Sequence, residues 1–339
     1  MFGLPEAWVW DFWLVDDGQK YHLFFLYASR ALQDPDLRHY RASVGHAVSD
    51  DLCEWQRVSD ALVRSDAPAF DDLATWTGSV VRHPDGTWFM FYTGATLTPE
   101  GNVQRIGFAT SEDLMTWRKN PANPVLQADP RWYERLADGM WPDEAFRDPW
   151  VLADPDGDGW HMLFTARANH GPADDRGVIG HAWSPDLRSW ELRPPLTDPG
   201  KGFGQLEVLQ TAQVDGQQIL MFSALAKDMS AERAVGITGG VWVARAETLL
   251  GPYDLAGAQQ LTNSDLYVGR LITDRQTGES RFLAFHHDSH DGTFIGEIDD
   301  PRTAHWDGNQ LRLSPIERAD RPADGRRVTS PGGHDRVPG

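Results

Sequence analysis

Apolar and aromatic positions along the chain gather in short runs, and five of these runs are each introduced by a glycine-containing turn. They read DGQKYHLFF from Asp17, DGTWFMFY from Asp85, DGDGWHMLF from Asp156, DGQQILMFS from Asp215 and, more weakly, TGESRFLAF from Thr277. Asp-Gly between such runs predicts a two-residue hairpin, because both turn positions need positive φ. The hairpins recur every 60 to 70 residues or so, enough for about four short strands with loops, which is one blade of a β-propeller.

A second repeat follows each of the first three hairpins. Ser-x-Asp-Leu-x-x-Trp occurs as Ser49, Asp51, Leu52, Trp55, as Ser111, Asp113, Leu114, Trp117, and as Ser184, Asp186, Leu187, Trp190. Each copy trails a strand-like stretch (GHAV, GFAT, GHAW), and a divergent fourth copy lies in GGVWVARAETLLGPYDL, from Gly239 to Leu255. Its simplest reading is structural: the Ser or Asp closes a turn and the Trp fills the outer part of a blade. The expected fold is all-β, a five-bladed β-propeller over residues 1–315, with a β-sandwich as the alternative. Residues 316–339, polar and rich in Gly, Pro and charge, are expected to form a tail rather than a domain.

The innermost strand of each blade lines the central channel, so polar residues there converge from distant positions. Candidate inner strands begin at Ala7, Ala74, Glu144, Gly204 and Ser264, and three carry an acid in an otherwise apolar run: Asp11, Asp148 and Glu207. A lone buried acid is more often structural; three at corresponding places point to function. Convergent carboxylates suit glycoside chemistry, in which one acts as nucleophile and one as proton donor. Aromatic rings can pack on the apolar faces of sugars, which gives Trp8, Trp10, Trp13, Trp76 and Trp150 a candidate role.

Composition narrows the partners. The 339 residues hold 50 Asp+Glu against 31 Lys+Arg, a formal net charge of −19, and 15 Trp. Such a surface repels nucleic-acid phosphates and anionic lipids, and no apolar run is long enough to cross a bilayer. The expected ligand is a small neutral saccharide, with no nucleic acid and no membrane. The start lacks a basic segment with an apolar stretch behind it, and Cys53 is the single cysteine, so a cytoplasmic location is expected.

In chain order, Trp10-Asp11-x-Trp13, Trp76-Thr77-Gly78-Ser79, Phe146-Arg147-Asp148-Pro149 and Glu207 resemble the signature blocks of the clan joining glycoside hydrolase families 32 and 68. These are invertases, fructanases and levansucrases on a five-bladed propeller. The resemblance implies Asp11 as nucleophile, Asp148 as transition-state stabiliser and Glu207 as general acid/base. It implies that Arg147 holds sugar hydroxyls while Trp10, Trp76 and Ser79 line the fructosyl subsite; Tyr267 either completes the pocket or packs the channel. Two departures bear on acceptor preference. Glu207 is followed by Val208-Leu209 where the families usually have Arg-Pro or Cys-Pro, and Lys227 stands where levansucrases tend to carry Arg. The chain resembles the propeller without the β-sandwich that usually follows it in family 32.

The expectation is a retaining glycosidase cleaving β-fructofuranosides such as sucrose or short fructooligosaccharides, with no cofactor. Levansucrase-type transfer, an arabinosidase- or xylosidase-like enzyme, and a non-catalytic sugar-binding propeller are the alternatives. Three other signals are set aside. Asp154 to Gly159 looks like the start of a calcium loop but has Thr165 at the twelfth position, so a plain turn is expected. His286, His287 and His290 lack metal-motif spacing, and no metal site is expected. Cys53 sits inside the structural repeat without a visible base.

Overall fold

The structure, a computed structural model, describes residues 1–289 and 292–315; His290 and the segment 316–339 lie outside them. Five antiparallel sheets follow one another along the chain. Blade one comprises Ala7–Asp16, Tyr21–Ser29, Ser43–Ser49 and Gln56–Arg57, and blade two Ala74–Arg82, Trp88–Thr98, Gly101–Ser111 and Arg118–Lys119. Blade three is built from Phe146–Ala153, Trp160–Arg167, Gly177–Ser184 and Glu191–Arg193, and blade four from Glu207–Val214, Gln217–Leu225, Gly239–Arg245 and Gln259–Gln260. Blade five pairs Leu266–Thr273, Ser280–Asp288, Arg302–Asp307 and Gln310–Pro315, with Phe294–Ile298 added beside its second strand. The first strand of each blade lies innermost, and neighbouring inner strands pack against one another around the ring. The ring closes where Phe2 exchanges both backbone hydrogen bonds with Ile298 of blade five (2.9 and 2.8 Å). Among the described residues no helix is long and apolar enough to cross a membrane.

All five expected hairpins join an inner strand to its neighbour, but their turns differ from expectation. Only Asp215-Gly216 is a two-residue turn with both φ positive, at 48° and 80°. The others are longer loops in which an aspartate accepts backbone N–H groups: Asp17 from Gln19 and Lys20, Asp85 from Thr87, Asp274 from Gln276. Such Asx turns satisfy the backbone through the side chain, so positive φ is not needed at the aspartate. The segment from Asp154 is a turn of this kind. Its Oδ1 accepts from the Asp156 N–H and its Oδ2 lies 3.2 Å from His161 Nε2.

The heptapeptide repeats form one corner three times. The Asp51 carboxylate accepts from the N–H groups of Cys53 and Glu54, and Trp55 Nε1 donates to the Leu52 carbonyl (3.1 Å). Asp113 and Trp117 repeat this pattern, as do Asp186 and Trp190. In all three the leucine carries positive φ, 64°, 62° and 62° at Leu52, Leu114 and Leu187. In the divergent fourth copy the Tyr253 hydroxyl donates to the Leu249 carbonyl (2.6 Å), standing in for the indole. The tryptophans do more than fill their own blade. Trp117 meets Phe24 of blade one edge-on at 5.7 Å and Trp190 meets Phe91 of blade two at 5.2 Å, so each wedges against the preceding blade.

Candidate active site

Every inner strand breaks register at the same height. The irregularities fall between Trp10 and Phe12, between Trp76 and Gly78, opposite Leu163–Thr165, between Glu207 and Gln210, and between Tyr267 and Arg270. A bulge inserts an unpaired residue and re-aims its neighbours, here toward the axis. Asp11 and Thr77 are themselves the inserted residues of blades one and two. In blades three to five the break holds a residue at positive φ: Asp148 at 58°, Val208 at 55° and Val268 at 51°.

A hydroxyl from the preceding blade accepts the N–H of each left-handed residue. Thr93 Oγ1 takes Asp148 N–H (2.9 Å), Thr165 Oγ1 takes Val208 N–H (3.3 Å) and Ser223 Oγ takes Val268 N–H (3.1 Å). A conformation that costs on the order of 1–3 kcal/mol is thus held in place from outside its own sheet. The three hydroxyls share a local signature that motif reading overlooked, an aromatic, a hydroxyl and a small residue: Tyr92-Thr93-Gly94, Phe164-Thr165-Ala166 and Phe222-Ser223-Ala224.

Around the axis the bulges enclose a cavity of about 530 Å³ lined by Asp11, Asp148 and Glu207 together with Trp10, Trp76, Arg147 and Tyr267. Thr77 Oγ1 donates to Asp11 Oδ2 (2.6 Å), and burial pushes the Asp11 carboxyl up to about 6 against that bond. Asp148, 2% exposed, accepts from Thr165 Oγ1 (2.9 Å) and the Val208 N–H (3.3 Å) through Oδ2. Burial pushes its pKa up to about 7, with Arg147 opposing. The Arg147 guanidinium ties the acids together: Nη2 donates to Glu207 Oε1 (2.5 Å) and to Gln205 Oε1 (2.6 Å), Nη1 to Gln104 Oε1 (3.0 Å), and Nε lies 3.5 Å from Asp148 Oδ2. Burial works against its charge, but Glu207, Asp143 and Asp148 outweigh it and raise its pKa. The Tyr267 hydroxyl donates to Glu207 Oε2, so both oxygens of this acid are oriented; Tyr267 lines the pocket while its ring also packs in the core against Phe285.

Ser79 corrects the expectation for it. It does not line the cavity; it is buried, and its Oγ accepts the Val151 N–H (3.2 Å), joining blade two to blade three. Thr77, two residues earlier, is the member of that block that reaches the site. The expected aromatic set also divides. Trp13 is fully buried and stacks on Phe24, Trp8 packs in the core, and Trp150 donates to Thr211 Oγ1 (3.1 Å); none of the three lines the cavity. Trp141 does, although nothing in its motif context marked it.

Two buried arginines balance the acids. Arg38, on the short 3-10 segment Pro35–Arg41, lines the cavity, its guanidinium 5.6 Å from the Trp10 ring centre; burial lowers its pKa while Asp11 and Asp36 raise it. Arg270 donates to the carbonyls of Phe12 (3.1 Å) and Leu209 (2.8 Å), and burial brings it down to about 10, still a cation at neutral pH. His39 stands between Trp10 and Trp76, both ring centres 6.1 Å away, and burial pushes it down to about 3, so it is neutral. His287 lines the cavity beside Tyr267, and His286 pairs with Asp299 at 3.3 Å.

Five blades with three carboxylates at an aromatic-walled axial cavity define a β-propeller with an acidic site on its axis. The N-terminal domain of the glycosyl hydrolases family 32 matches residues 13–310, and the chain belongs to that family. A β-fructofuranosidase 1 of Zea mays is 37% identical over 133 residues, 38% of this chain and 17% of its own length. A sucrose:sucrose 1-fructosyltransferase of Festuca arundinacea is 30% identical over 206 residues, 59% of this chain and 28% of its own. The chain therefore aligns with well under a third of either relative. An inulosucrase from Halalkalicoccus jeotgali, solved with kestose bound, shares the fold with a TM-score of 0.74 at 21% identity, over 94% of this chain and 92% of its own.

Proposed function

We propose that the chain is a retaining β-fructofuranosidase acting on sucrose or short fructooligosaccharides through a covalent fructosyl-enzyme. The observation that carries this reading is the gathering of Asp11, Asp148 and Glu207 at one cavity, with Arg147 bridging the last two. Asp11 is the nucleophile. Thr77 occupies its Oδ2, which leaves Oδ1 for attack on the anomeric carbon, and above about pH 6 the group is predominantly carboxylate. Glu207, oriented by Arg147 and Tyr267, delivers a proton to the glycosidic oxygen as that bond breaks and later removes one from the water that hydrolyses the ester. Asp148 accepts from sugar hydroxyls whose bonds strengthen as the ring gains oxocarbenium character. Trp10 and Trp76 wall the sugar's apolar faces.

Incubation with sucrose, inulobiose and levanbiose tests this reading: fructose is expected from at least one of them, with the β-configured product that a double displacement leaves. No release from any of the three, or an inverted product, contradicts it. Transfer to a sugar hydroxyl is the second reading, supported by the likeness to a fructosyltransferase over 59% of the chain. Both reactions share the ester intermediate, and an excess of free glucose over free fructose from sucrose identifies transfer.

A further inference from the structure

The cavity has a floor and a mouth. Asp148 is almost completely buried at the floor, whereas Trp141 and Asp228, which line the cavity, are only partly buried and Lys227, beside them, is exposed. A sugar whose anomeric carbon meets Asp11 occupies the floor. What hangs on the oxygen that Glu207 protonates must extend toward the mouth, past Trp141.

Trp141 is held from outside the cavity. The guanidinium of Arg167, 1% exposed, lies 3.9 Å from the Trp141 ring centre. Arg167 Nη2 and Nε donate to both oxygens of buried Glu134 (3.2 Å each), and Arg176 Nη1 adds a third bond to that carboxylate (2.8 Å). Arg167 Nη1 also donates to the Gly204 carbonyl (2.5 Å), three residues before Glu207. Gly204 in turn donates its N–H to the Asp228 carbonyl (2.8 Å), and a Cβ built there would fall 2.9 Å from Trp141 Cη2. The ring thus lies between a planar cation and a backbone that has room for it only because residue 204 is glycine. The buried Arg167–Glu134 pair has no part in bond cleavage; besides facing the Trp141 ring, Arg167 fixes the carbonyls of Gly204 and Ala173, and a buried ion pair is a costly choice where packing is all that is needed.

Resting on the fructofuranoside reading, we propose that the Arg167–Glu134 pair positions Trp141 as the platform for the leaving-group sugar, and so sets which leaving groups and acceptors the site accepts. Arg167 is a positioning residue and touches no substrate. Planarity matters: lysine keeps the charge but does not stack in the same way.

The test compares sucrose with methyl β-fructofuranoside, whose leaving group is too small to reach the ring. Trp141→Ala and Arg167→Met are each expected to lower kcat/KM on sucrose about tenfold, the worth of a desolvated stacking contact, chiefly through KM. On the methyl glycoside both should stay within about twofold of the parent, and the double variant should be no worse than either single one, because the two residues act through one contact. Trp141→Phe should recover most of the loss. Gly204→Ala keeps both charges of the pair and puts a Cβ 2.9 Å from Trp141 Cη2, and should give the same KM-weighted pattern if Arg167→Met does not fold. Equal losses on both donors, additive losses, or unchanged sucrose kinetics overturn the proposal. Parent enzyme that turns over neither donor overturns this proposal and the fructofuranoside reading together, whereas active parent with unaffected variants overturns the proposal alone.

Discussion

The outer corners and the inner bulges both hold a non-glycine residue in the left-handed region, and they differ in where the support comes from. At Leu52, Leu114 and Leu187 the stabilising bonds come from inside the same heptapeptide, with an aspartate capping two N–H groups and an indole capping the leucine carbonyl. At Asp148, Val208 and Val268 the bond comes from a hydroxyl on the preceding blade. Support from within fixes the residues, so the corner recurs in the sequence. Support from a neighbour leaves the inner residue free to be an acid or an aliphatic, so what recurs in the sequence is the neighbour's hydroxyl and not the bulge residue itself. That freedom allows one repeated backbone feature to present different side chains to the axis in successive blades.

The sharpest way to separate the two regions is to remove one carboxylate from each. Asp11→Ala should lower turnover of sucrose by about four orders of magnitude or more, as loss of a nucleophile does, while its midpoint of urea unfolding at pH 8 is no lower than the parent's. Asp186→Ala removes a cap instead. It should cost about 1–2 kcal/mol in the same unfolding experiment and leave kcat/KM within about twofold. Comparable activity losses in the two variants would erase the distinction drawn here.

Thr165→Val probes the support that an inner bulge takes from its neighbouring blade. It removes the donor to Asp148 Oδ2 and the acceptor of Val208 N–H together, and should lower kcat about a hundredfold through misplacement of Asp148 and Glu207. Unchanged kcat would mean that the bulges hold without their neighbours.

A smaller effect appears in the pH dependence of stability. Burial raises Asp11 to about 6 and Asp148 to about 7, so the folded chain keeps protons that the unfolded chain releases from about pH 4 upward. Stability contributed at acid pH is therefore lost as pH rises from about 4 to about 7, the reverse of the usual behaviour of paired carboxylates. Urea midpoints across that range should fall, and Asp148→Asn should flatten the fall and be more stable than the parent at pH 8. The smallest effect expected is kinetic: kcat/KM should fall below about pH 6, and Thr77→Val should move that limb to higher pH, since the Thr77 hydrogen bond holds Asp11 down.

Much of the architecture was legible because blades repeat their hairpins and corners locally. The three acids were legible because a charge in an apolar run is conspicuous. The aromatic wall was legible in part: Trp10, Trp76 and Tyr267 line the cavity as expected, whereas Trp8, Trp13 and Trp150, singled out for lying near the acids in the sequence, do not. Trp10 faces the cavity while Trp13 turns into the core beneath it. Ser79 was carried over with its whole block by resemblance, whereas the bulge falls at Thr77 and turns that residue to the site. Arg38 and Trp141 come from segments outside the inner strands, where no periodicity constrains which residue reaches the site. The family resemblance supplied roles for the acids that spacing alone could not, because hydrogen-bond partners from four different blades decide how each carboxylate is held.

The central claim is that Asp11 becomes covalently esterified by a fructosyl group. Rapid acid quenching of the enzyme during turnover of sucrose, followed by digestion and mass spectrometry, should find one added anhydrohexose on the peptide carrying Asp11, absent from the Asp11→Ala variant. A label on another residue, or no labelled peptide when Glu207→Gln is given β-fructosyl fluoride, whose leaving group needs no proton and whose ester then lacks the base for hydrolysis, would contradict the account.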